Sequence, residues 1–496
     1  MDARTERAAS GAAELDVAII GAGFAGIGMA VRLLQSGIRS FAIFERAGDY
    51  GGTWRDNTYP GAACDVPSHV YSLSFEQNPD WSHTYAGGQE IHRYLRGVAA
   101  KWNLAPRTRF HTEIAEAVFD EASGVWTLGT ARGDRVTARV VVSAVGGLVD
   151  PSLPDIKGLA SFGGEIFHTA RWNHDYDLGG RRVAVIGTGA SAVQVVPSIA
   201  PQVERLLVFQ RTAAWVMPKR DRAYRAATRR LLARYPLLLR ASRFARYALS
   251  ELMGPMVFLD SKRLSAIAEK GSLAHLHAQV RDPVLREKLT PRFQFGCKRV
   301  LISDDYWASF ERGNVDLVTE PIAEVRRGGV ETADGVLHEV EALILATGFE
   351  LNIATAPFPV TGRGGRRLDD AWRDGAVACK GLAVSGFPNW FILMGPNTGP
   401  GHTSVLVFTE AQIEHALGAI RKIRDEGLRW VDVRQDVQDR YNRGLQARMP
   451  RMAWSSGCHS WYLSADGSNH SLYPGFAFEY ALRTRRFRPR EYEIAR

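Results

Sequence analysis

Two copies of one pattern, an apolar strand segment followed at once by a glycine-rich turn, constrain the fold more than any other feature of the sequence. In the first copy, the apolar residues 16–20 precede Gly21, Gly23 and Gly26. A short apolar run of this kind is typical of a strand buried in a parallel sheet. Gly21 permits a tight turn, Gly23 lets a pyrophosphate approach the backbone, and Gly26 lets a helix pack closely on the strand. The pattern predicts an α/β dinucleotide-binding unit.

An acidic residue after the next predicted strand extends this unit. A helical pattern runs to about Gln35, and a second strand pattern over residues 40–44 ends at Glu45. An acid at this place accepts hydrogen bonds from the hydroxyls of an adenosine ribose. Phe24 and Ala25 lie between the glycines and are expected to line the same site. The first unit therefore predicts FAD rather than FMN.

The second copy carries a basic residue where the first carries the acid. Its strand patterns cover residues 182–186 and 206–209, and Arg211 and Thr212 follow. Glu45 and Arg211 both lie 24 positions after the first glycine of their units. A guanidinium suits a 2′-phosphate, so the second unit predicts NADPH. The alternative is that Arg211 is a surface residue and the site takes NADH. The residues of its turn are Gly187, Thr188, Gly189, Ala190, Ser191 and, in the place of the third glycine, Ala192.

Two longer patterns carry a family resemblance. Residues 51–65 fit GGxWxxxxYPGxxxD at every fixed position. A linker between the two glycine-rich units, residues 162–173, fits FxGxxxHxxxW through Phe162, Gly164, His168 and Trp172. The chain thus resembles the Baeyer–Villiger monooxygenases, which are class B flavoprotein monooxygenases. The resemblance implies two Rossmann-like domains that bind FAD and NADPH. It also implies that one oxygen atom of O2 is inserted beside a ketone carbonyl through a C4a-peroxyflavin, which gives an ester or a lactone.

The resemblance also implies roles for individual residues. Arg299 is expected to stabilise the peroxyflavin and the developing oxyanion, and Asp65 is expected to lie near the flavin and hold Arg299 as an ion-pair partner. Lys298 matches a lysine that aids recognition of the 2′-phosphate, and the linker is expected to couple the two domains. The other matches to residues that contact a cofactor in the family are Trp54, Tyr71, Ile114 and Trp461.

One departure from the family pattern leaves alternatives open. Asn173 follows Trp172, where the family has Pro or Asp. Related enzymes that oxidise amines or sulfides carry Phe or Tyr in the place of Trp172, so this tryptophan favours the Baeyer–Villiger side. The main alternative is a flavin-dependent N- or S-oxygenase. The other is a non-enzymatic redox sensor that binds both nucleotides.

The order of the patterns predicts domains that the chain visits more than once. A helical insert interrupts the second domain; it has apolar and arginine-rich faces, and Pro236 is expected to break it. Mixed acidic residues follow, so internal packing is favoured over a membrane-surface helix, and the family implies a part in the substrate cavity. The expected bounds are a disordered tail at 1–14, the FAD domain at 15–145 and 340–496, the NADPH domain at 146–219 and 291–339, and the insert at 220–290.

Charge and cysteine content bear on partners and compartment. The formal charge is +9, but the arginines are dispersed or concentrated in the insert and no aromatic–basic motif accompanies them, so we expect no nucleic-acid partner. The four cysteines form no CxxC pair, so we expect neither a metal site nor a disulfide and place the chain in the cytoplasm. No apolar run reaches the ~18 residues of a membrane span.

Overall fold

Two sheets, one mixed and one parallel, form the frame of the fold, and each contains one of the glycine-rich units. The computed structural model describes residues 14–350, 357–458, 462–463 and 467–496. Its strands in chain order are β1 Leu15–Ile20, β2 Phe41–Phe44, β3 Thr108–Arg109, β4 Ile114–Asp120, β5 Val125–Thr130, β6 Arg135–Ser143, β7 Glu165–His168, β8 Arg182–Ile186, β9 Arg205–Phe209, β10 Val216–Met217, β11 Leu301–Ile302, β12 Val315–Val318, β13 Ile322–Arg326, β14 Gly329–Thr332, β15 Leu337–Glu339, β16 Ala342–Leu345, β17 Val360–Thr361, β18 Trp390–Ile392, β19 Trp430–Val433 and β20 Tyr492–Ala495.

Helices cover the faces of the two sheets and form the insert. The α-helices in chain order are α1 Phe24–Gln35, α2 Thr53–Asp56, α3 Gly88–Lys101, α4 Ala192–Ile199, α5 Ala226–Arg234, α6 Pro236–Phe258, α7 Lys262–Gln279, α8 Pro283–Leu289, α9 Leu368–Ala371, α10 Val405–Asp425, α11 Gln435–Gln446 and α12 Ala477–Thr484. Among the described residues, no helix has the length and apolarity that crossing a bilayer requires.

The first sheet brings together strands from both ends of the chain. Strand β1 lies between β2 and β6, and all three are parallel. The other edge of β6 pairs with two strands in succession: its first part pairs antiparallel with β5, and its last part pairs parallel with β18. The apolar positions of α1 pack on this sheet together with α10, which explains why both the strand and the helix are apolar almost throughout.

The second sheet has the strand order β12-β9-β8-β16-β7, and all its strands are parallel. Part of the predicted linker forms its edge strand, β7, in which His168 pairs with Leu345 of β16. The predicted domain boundary at residue 340 placed β16 in the FAD domain. This boundary is wrong for β16, because the strand pairs with β8 and β7 of the second sheet. An apolar strand pattern is the same in either sheet and does not identify its neighbours.

The chain enters the helical insert after β10 and returns from it at β11. These two strands pair in parallel. Pro236 occupies the first turn of α6, where a proline needs no backbone donor, and so it separates α5 from α6. The inner side of α6 is anchored by Arg243, which donates hydrogen bonds to the carbonyl oxygens of His69, Val70 and Ser72. The sequence favoured internal packing of the insert. This prediction is wrong for the outer side of α6, whose apolar side chains are exposed.

Candidate active site

A cavity of about 1860 Å³ extends between the two sheets. It exceeds the roughly 300–1,000 Å³ of a typical small-molecule site and has room for two extended ligands. Of the predicted site residues that the structure describes, all line this cavity except Gly26, Ala192 and the four linker positions. Trp461 and most of the predicted tail lie outside the described residues. The two glycine-rich turns therefore face one common space.

In the first glycine-rich turn, close packing within the protein requires two of the glycines but not Gly23. A Cβ atom on Gly21 would lie 2.5 Å from the carbonyl oxygen of Ala144, and one on Gly26 would lie 1.9 Å from that of Gly21. A Cβ atom on Gly23 would meet only Gly52, at 3.8 Å. Gly23 is thus not required by protein packing, and its bare backbone faces the cavity. This is the property that a pyrophosphate site needs.

Glu45 is buried beside this turn, and its carboxylate already accepts three hydrogen bonds. Its Oε2 accepts a hydrogen bond from the amide of Ala22 at 2.9 Å, and its Oε1 accepts from the amide of Ala47 at 2.9 Å. Arg55 donates a further bond from Nη1 to Oε1 at 3.0 Å. One lone pair of Oε2 stays available for a ribose hydroxyl. The partner Arg55 was not identified from the sequence, because it occupies a variable position of the GGxWxxxxYPGxxxD pattern.

Trp54 and Tyr71, both expected at the flavin, contact each other. The indole Nε1 of Trp54 donates to the Tyr71 hydroxyl at 3.0 Å, and the two rings pack edge to face at 5.7 Å between centroids. Tyr71 also packs edge to face on Phe24 of the first glycine-rich turn. These aromatic side chains form a wall of the cavity that begins at the turn and leads toward Asp65.

Arg299 and Asp65 meet at this wall, although they come from distant parts of the chain. The Arg299 Nε lies 3.1 Å from Oδ2 of Asp65, and its Nη2 donates to the same oxygen. The Asp65 charge raises the pKa of Arg299 above its ordinary value, and the Tyr462 hydroxyl also accepts a hydrogen bond from the guanidinium. Sequence reasoning gave Tyr462 no role of its own; the available signal was that its segment, residues 454–462, resembles a family loop near the nicotinamide.

Two cations meet at the second glycine-rich turn. Lys298 and Arg211 both line the cavity, and burial together with the charge of Arg211 lowers the pKa of Lys298. The Nζ of Lys298 lies 5.0 Å from the centroid of the Phe293 ring. Arg211 is exposed and has no carboxylate partner among the described residues. Two neighbouring cations that no acid balances favour an anionic ligand between them.

The Tyr-Pro-Gly part of the 51–65 pattern holds the two halves of the molecule together. The Tyr59 hydroxyl donates to the side chain of Gln194 on α4 at 2.8 Å, and Gln194 donates to the carbonyl oxygen of Ala63 at 2.9 Å. A Cβ atom on Gly61 would lie 2.2 Å from the Ser198 hydroxyl, and Gly61 has a φ of +81°. Only glycine fits this contact between the loop that carries the 51–65 pattern and the helix that follows the second glycine-rich turn.

The linker residues support the second sheet rather than the cavity wall. Gly164 lies so close to the sheet that a Cβ atom would be 2.2 Å from the carbonyl oxygen of Glu341. His168 is 4% exposed, and its Nδ1 accepts a hydrogen bond from the amide of Ala170. Burial, followed by the charge of Arg171, lowers the pKa of His168 to about 4, so the ring is neutral at neutral pH. Its place in the structure is that of a turn-capping residue.

The expectation that the chain forms no disulfide is wrong. Cys297 and Cys458 are joined, with 6.2 Å between their Cα atoms and 161 positions between them in the chain. Cys297 directly precedes Lys298, and Cys458 lies a few residues before Tyr462. The bond therefore ties the segment of the catalytic candidate Arg299 to the segment that supplies its tyrosine partner. Cys64 and Cys379 are free and buried.

Known proteins share this arrangement of sequence and fold. The family described as flavin-binding monooxygenase-like matches residues 14–355. A Baeyer–Villiger monooxygenase of Pseudomonas aeruginosa is 44% identical over 494 residues, which cover 99% of this chain and 93% of the relative. The chain belongs to the flavin-binding monooxygenase-like family.

Two further similarities show which members of the family this flavin-binding monooxygenase resembles. A Baeyer–Villiger monooxygenase of Streptomyces coelicolor is 44% identical over 482 residues, which cover 97% of this chain and 92% of the relative. The crystal structure of OTEMO in complex with FAD and NADP aligns with a TM-score of 0.88 at 30% identity, over 97% of this chain and all of that one. The family resemblance and the fold class predicted from the sequence are confirmed.

Proposed function

We propose that this chain uses NADPH and FAD to insert one oxygen atom of O2 beside the carbonyl of a small-molecule ketone, giving an ester or a lactone. The observation that carries the proposal is Arg299, a guanidinium that Asp65 holds at the wall of a cavity lined by both glycine-rich turns. The names of the relatives and the FAD and NADP in the OTEMO complex support the activity and both cofactors. The cytoplasm stays our proposed compartment, because the reaction consumes NADPH.

The residues present fit both cofactors. FAD would be held by the open backbone at Gly23, by the remaining lone pair of Glu45, and by the wall of Trp54. NADPH would be held at the second turn, with its 2′-phosphate between Arg211 and Lys298. When bound, NADPH supplies a hydride and FAD supplies the oxygen-transfer chemistry.

Arg299 would stabilise negative charge on the reacting oxygen and on the carbonyl oxygen of the ketone. A guanidinium stays charged at any working pH, and Asp65 raises the pKa of Arg299 further, so the side chain neither takes nor gives up a proton. A preorganised cation in a site that excludes water stabilises such charge strongly. Asp65 and Tyr462 would fix the direction in which the guanidinium points.

The linker would couple the two cofactor sites. It enters the second sheet as β7, beside β16, and Leu345 of β16 is followed closely by Thr347 and Gly348 at the cavity wall. A shift of the edge strand would therefore be transmitted to the wall of the NADPH side. We assign this role to residues 162–173, with His168 as the cap of the turn after the strand.

The test is turnover of a panel of cyclic, linear and aromatic ketones with NADPH in isotopically labelled O2. We expect products heavier than the substrate by one labelled oxygen, with an ester or lactone linkage. Sulfoxides or hydroxylamines from sulfide and amine substrates, with no ester from any ketone, would identify an N- or S-oxygenase instead. Binding of both cofactors without NADPH-driven oxygen consumption would identify a redox sensor.

A further inference from the structure

The outer side of α6 is an exposed apolar stripe. Leu237, Phe244 and Leu252 are 74%, 70% and 77% exposed. They are spaced by seven and eight positions, which is about two helical turns each time, so they lie along one side of the helix. Leu249 and the end of α5, at Tyr235, extend the exposed apolar surface. Side chains of this size normally turn inward, and a continuous exposed set of them marks an interaction surface.

The charge around the stripe has one sign only. Residues 222–250 contain eight arginines and no acidic residue. Three of these arginines serve the protein itself: Arg229 pairs with Asp80, Arg243 with Glu410, and Arg246 lies over the Tyr224 ring. The other five are exposed and have no acidic partner in the part of the chain that the structure describes; they are Arg222, Arg225, Arg230, Arg234 and Arg240.

We propose that this face, the outer side of α6 with the exposed arginines of residues 222–240, docks on the surface of an anionic lipid bilayer. An apolar stripe of Phe and Leu suits the boundary between headgroups and acyl chains, and unpaired arginines beside it suit lipid phosphates. A protein partner would need a matching acidic surface with an apolar centre, and a second copy of this chain would bring the same unbalanced arginines together. The observations therefore favour a lipid surface over a second copy.

The position of the stripe relates docking to the cavity. On the inner side of α6, a Cβ atom on Gly254 would lie 2.7 Å from the ring of His402. Pro400 and Thr403, two residues before and one residue after His402, line the cavity. One helix therefore separates the lipid-facing stripe from the cavity wall, so docking would place that wall next to the membrane.

The experiment is flotation of the full chain with phosphatidylcholine vesicles, prepared with and without phosphatidylglycerol, at low and high salt. We expect binding only to the vesicles that contain phosphatidylglycerol, and release by salt. The double variant Phe244→Ser/Leu252→Ser should lower the partition constant by about tenfold to a hundredfold. The double variant Arg230→Gln/Arg234→Gln should lower it about 25-fold, since each arginine near the surface contributes about a factor of five.

The matched control is Val284→Ser/Leu337→Ser, which changes exposed apolar residues outside the face and should bind vesicles as the unmodified chain does. Each variant is first checked for bound flavin and for the thermal midpoint of unfolding. No binding to phosphatidylglycerol vesicles, or equal binding by all three double variants, would overturn the proposal. Concentration-dependent dimerisation that Phe244→Ser/Leu252→Ser abolishes, without vesicle binding, would instead assign the face to a second copy of the chain.

Discussion

The Arg299 guanidinium lies against the Asp65 carboxylate, with Nε 3.1 Å from Oδ2, although 234 positions separate the two residues in the chain. Asp65 lies in the loop after the first glycine-rich turn, whereas Arg299 directly follows Lys298, which lies beside Arg211 at the second turn. The ion pair therefore forms only when the two sides are in their correct relative position. The pair therefore depends on the packing of the two sides as well as on the two side chains.

The two members of this pair should differ in what their loss does. Arg299→Ala should abolish ester formation, because one preorganised contact of this kind is worth about 10²–10³ in rate. The remaining NADPH oxidation should end in hydrogen peroxide while FAD stays bound. Asp65→Ala should give a smaller loss, since Arg299 is still present but poorly oriented. NADPH consumed, peroxide formed and ester produced are measured in one reaction; normal coupling in Arg299→Ala would contradict the assignment.

Arg211 should decide between the two nicotinamide coenzymes. We expect Arg211→Ala to raise the apparent KM for NADPH by tens-fold and to leave that for NADH nearly unchanged, because only NADPH carries the 2′-phosphate. Lys298→Ala should act in the same direction. Arg205→Ala, a change of an exposed arginine paired with Asp316 on the same sheet, is the control. Equal kinetic parameters for NADPH and NADH in the unmodified protein would refute this role.

His168 should matter as a hydrogen-bond acceptor and not as an acid. His168→Ala removes the acceptor for the amide of Ala170 and should slow NADPH-driven turnover several-fold while FAD stays bound. His168→Asn keeps a side-chain acceptor that can cap the same turn and should restore most of the rate. Steady-state turnover and bound flavin are measured for both variants. Full turnover and coupling in His168→Ala would remove the linker from the mechanism.

Asp432, on β19, should make the free energy of unfolding depend on pH. Burial raises the pKa of this carboxyl to about 7, although the amide of Gly386 and the Arg363 guanidinium oppose the shift. The folded state then holds the proton more tightly than the unfolded state, so the free energy of unfolding falls as pH rises from about 4 to about 7. Asp432→Asn should therefore change stability little below pH 4 and stabilise the fold by roughly 2–4 kcal/mol at pH 8.

Urea denaturation of both forms at several pH values measures this difference. The matched control is Asp134→Asn, the same chemical change at an exposed surface position. A difference between Asp432→Asn and the unmodified chain that does not grow with pH would show that the carboxyl is already ionised in the fold.

The Cys297–Cys458 bond should hold the Tyr462 segment against Arg299. Cys458→Ser should lower the free energy of unfolding by about 2–4 kcal/mol, because the bond closes a long loop. It should also raise the fraction of NADPH that ends as peroxide, since Tyr462 is then less well placed. Thiol titration of the denatured, unreduced protein should find two free thiols, those of Cys64 and Cys379. Four thiols would contradict the pairing.

The sheets could be predicted where both faces of a strand are buried. The apolar runs of β1 and β8, each followed by its glycine-rich turn, were sufficient for the two dinucleotide units. The sheet to which β16 belongs could not be predicted, because Ala342–Leu345 would be equally apolar in either sheet. The outer side of α6 could not be predicted either, since an apolar and basic helix has the same pattern whether its apolar side is covered or exposed.

Site residues could be predicted where they belong to a fixed sequence pattern. Asp65 and Arg299 were identified by their matches to a family, and the structure brings them into contact. Arg55 was missed because it stands at a variable position of its pattern, and Tyr462 was missed because its role depends on a contact between segments distant in the chain. The disulfide was missed for the same reason: four cysteines allow several pairings, and spacing alone selects none of them.

The short β10–β11 pair closes the neck of the insert, since Val216 and Leu301 lie side by side where the chain departs and returns. Lengthening, shortening or exchanging the segment between them would alter the cavity wall and the outer surface while both glycine-rich turns keep their places. For engineering, this neck marks Val216 and Leu301 as the joints for transplanting an insert from another member, provided that the incoming segment carries its own counterparts of Lys298 and Arg299.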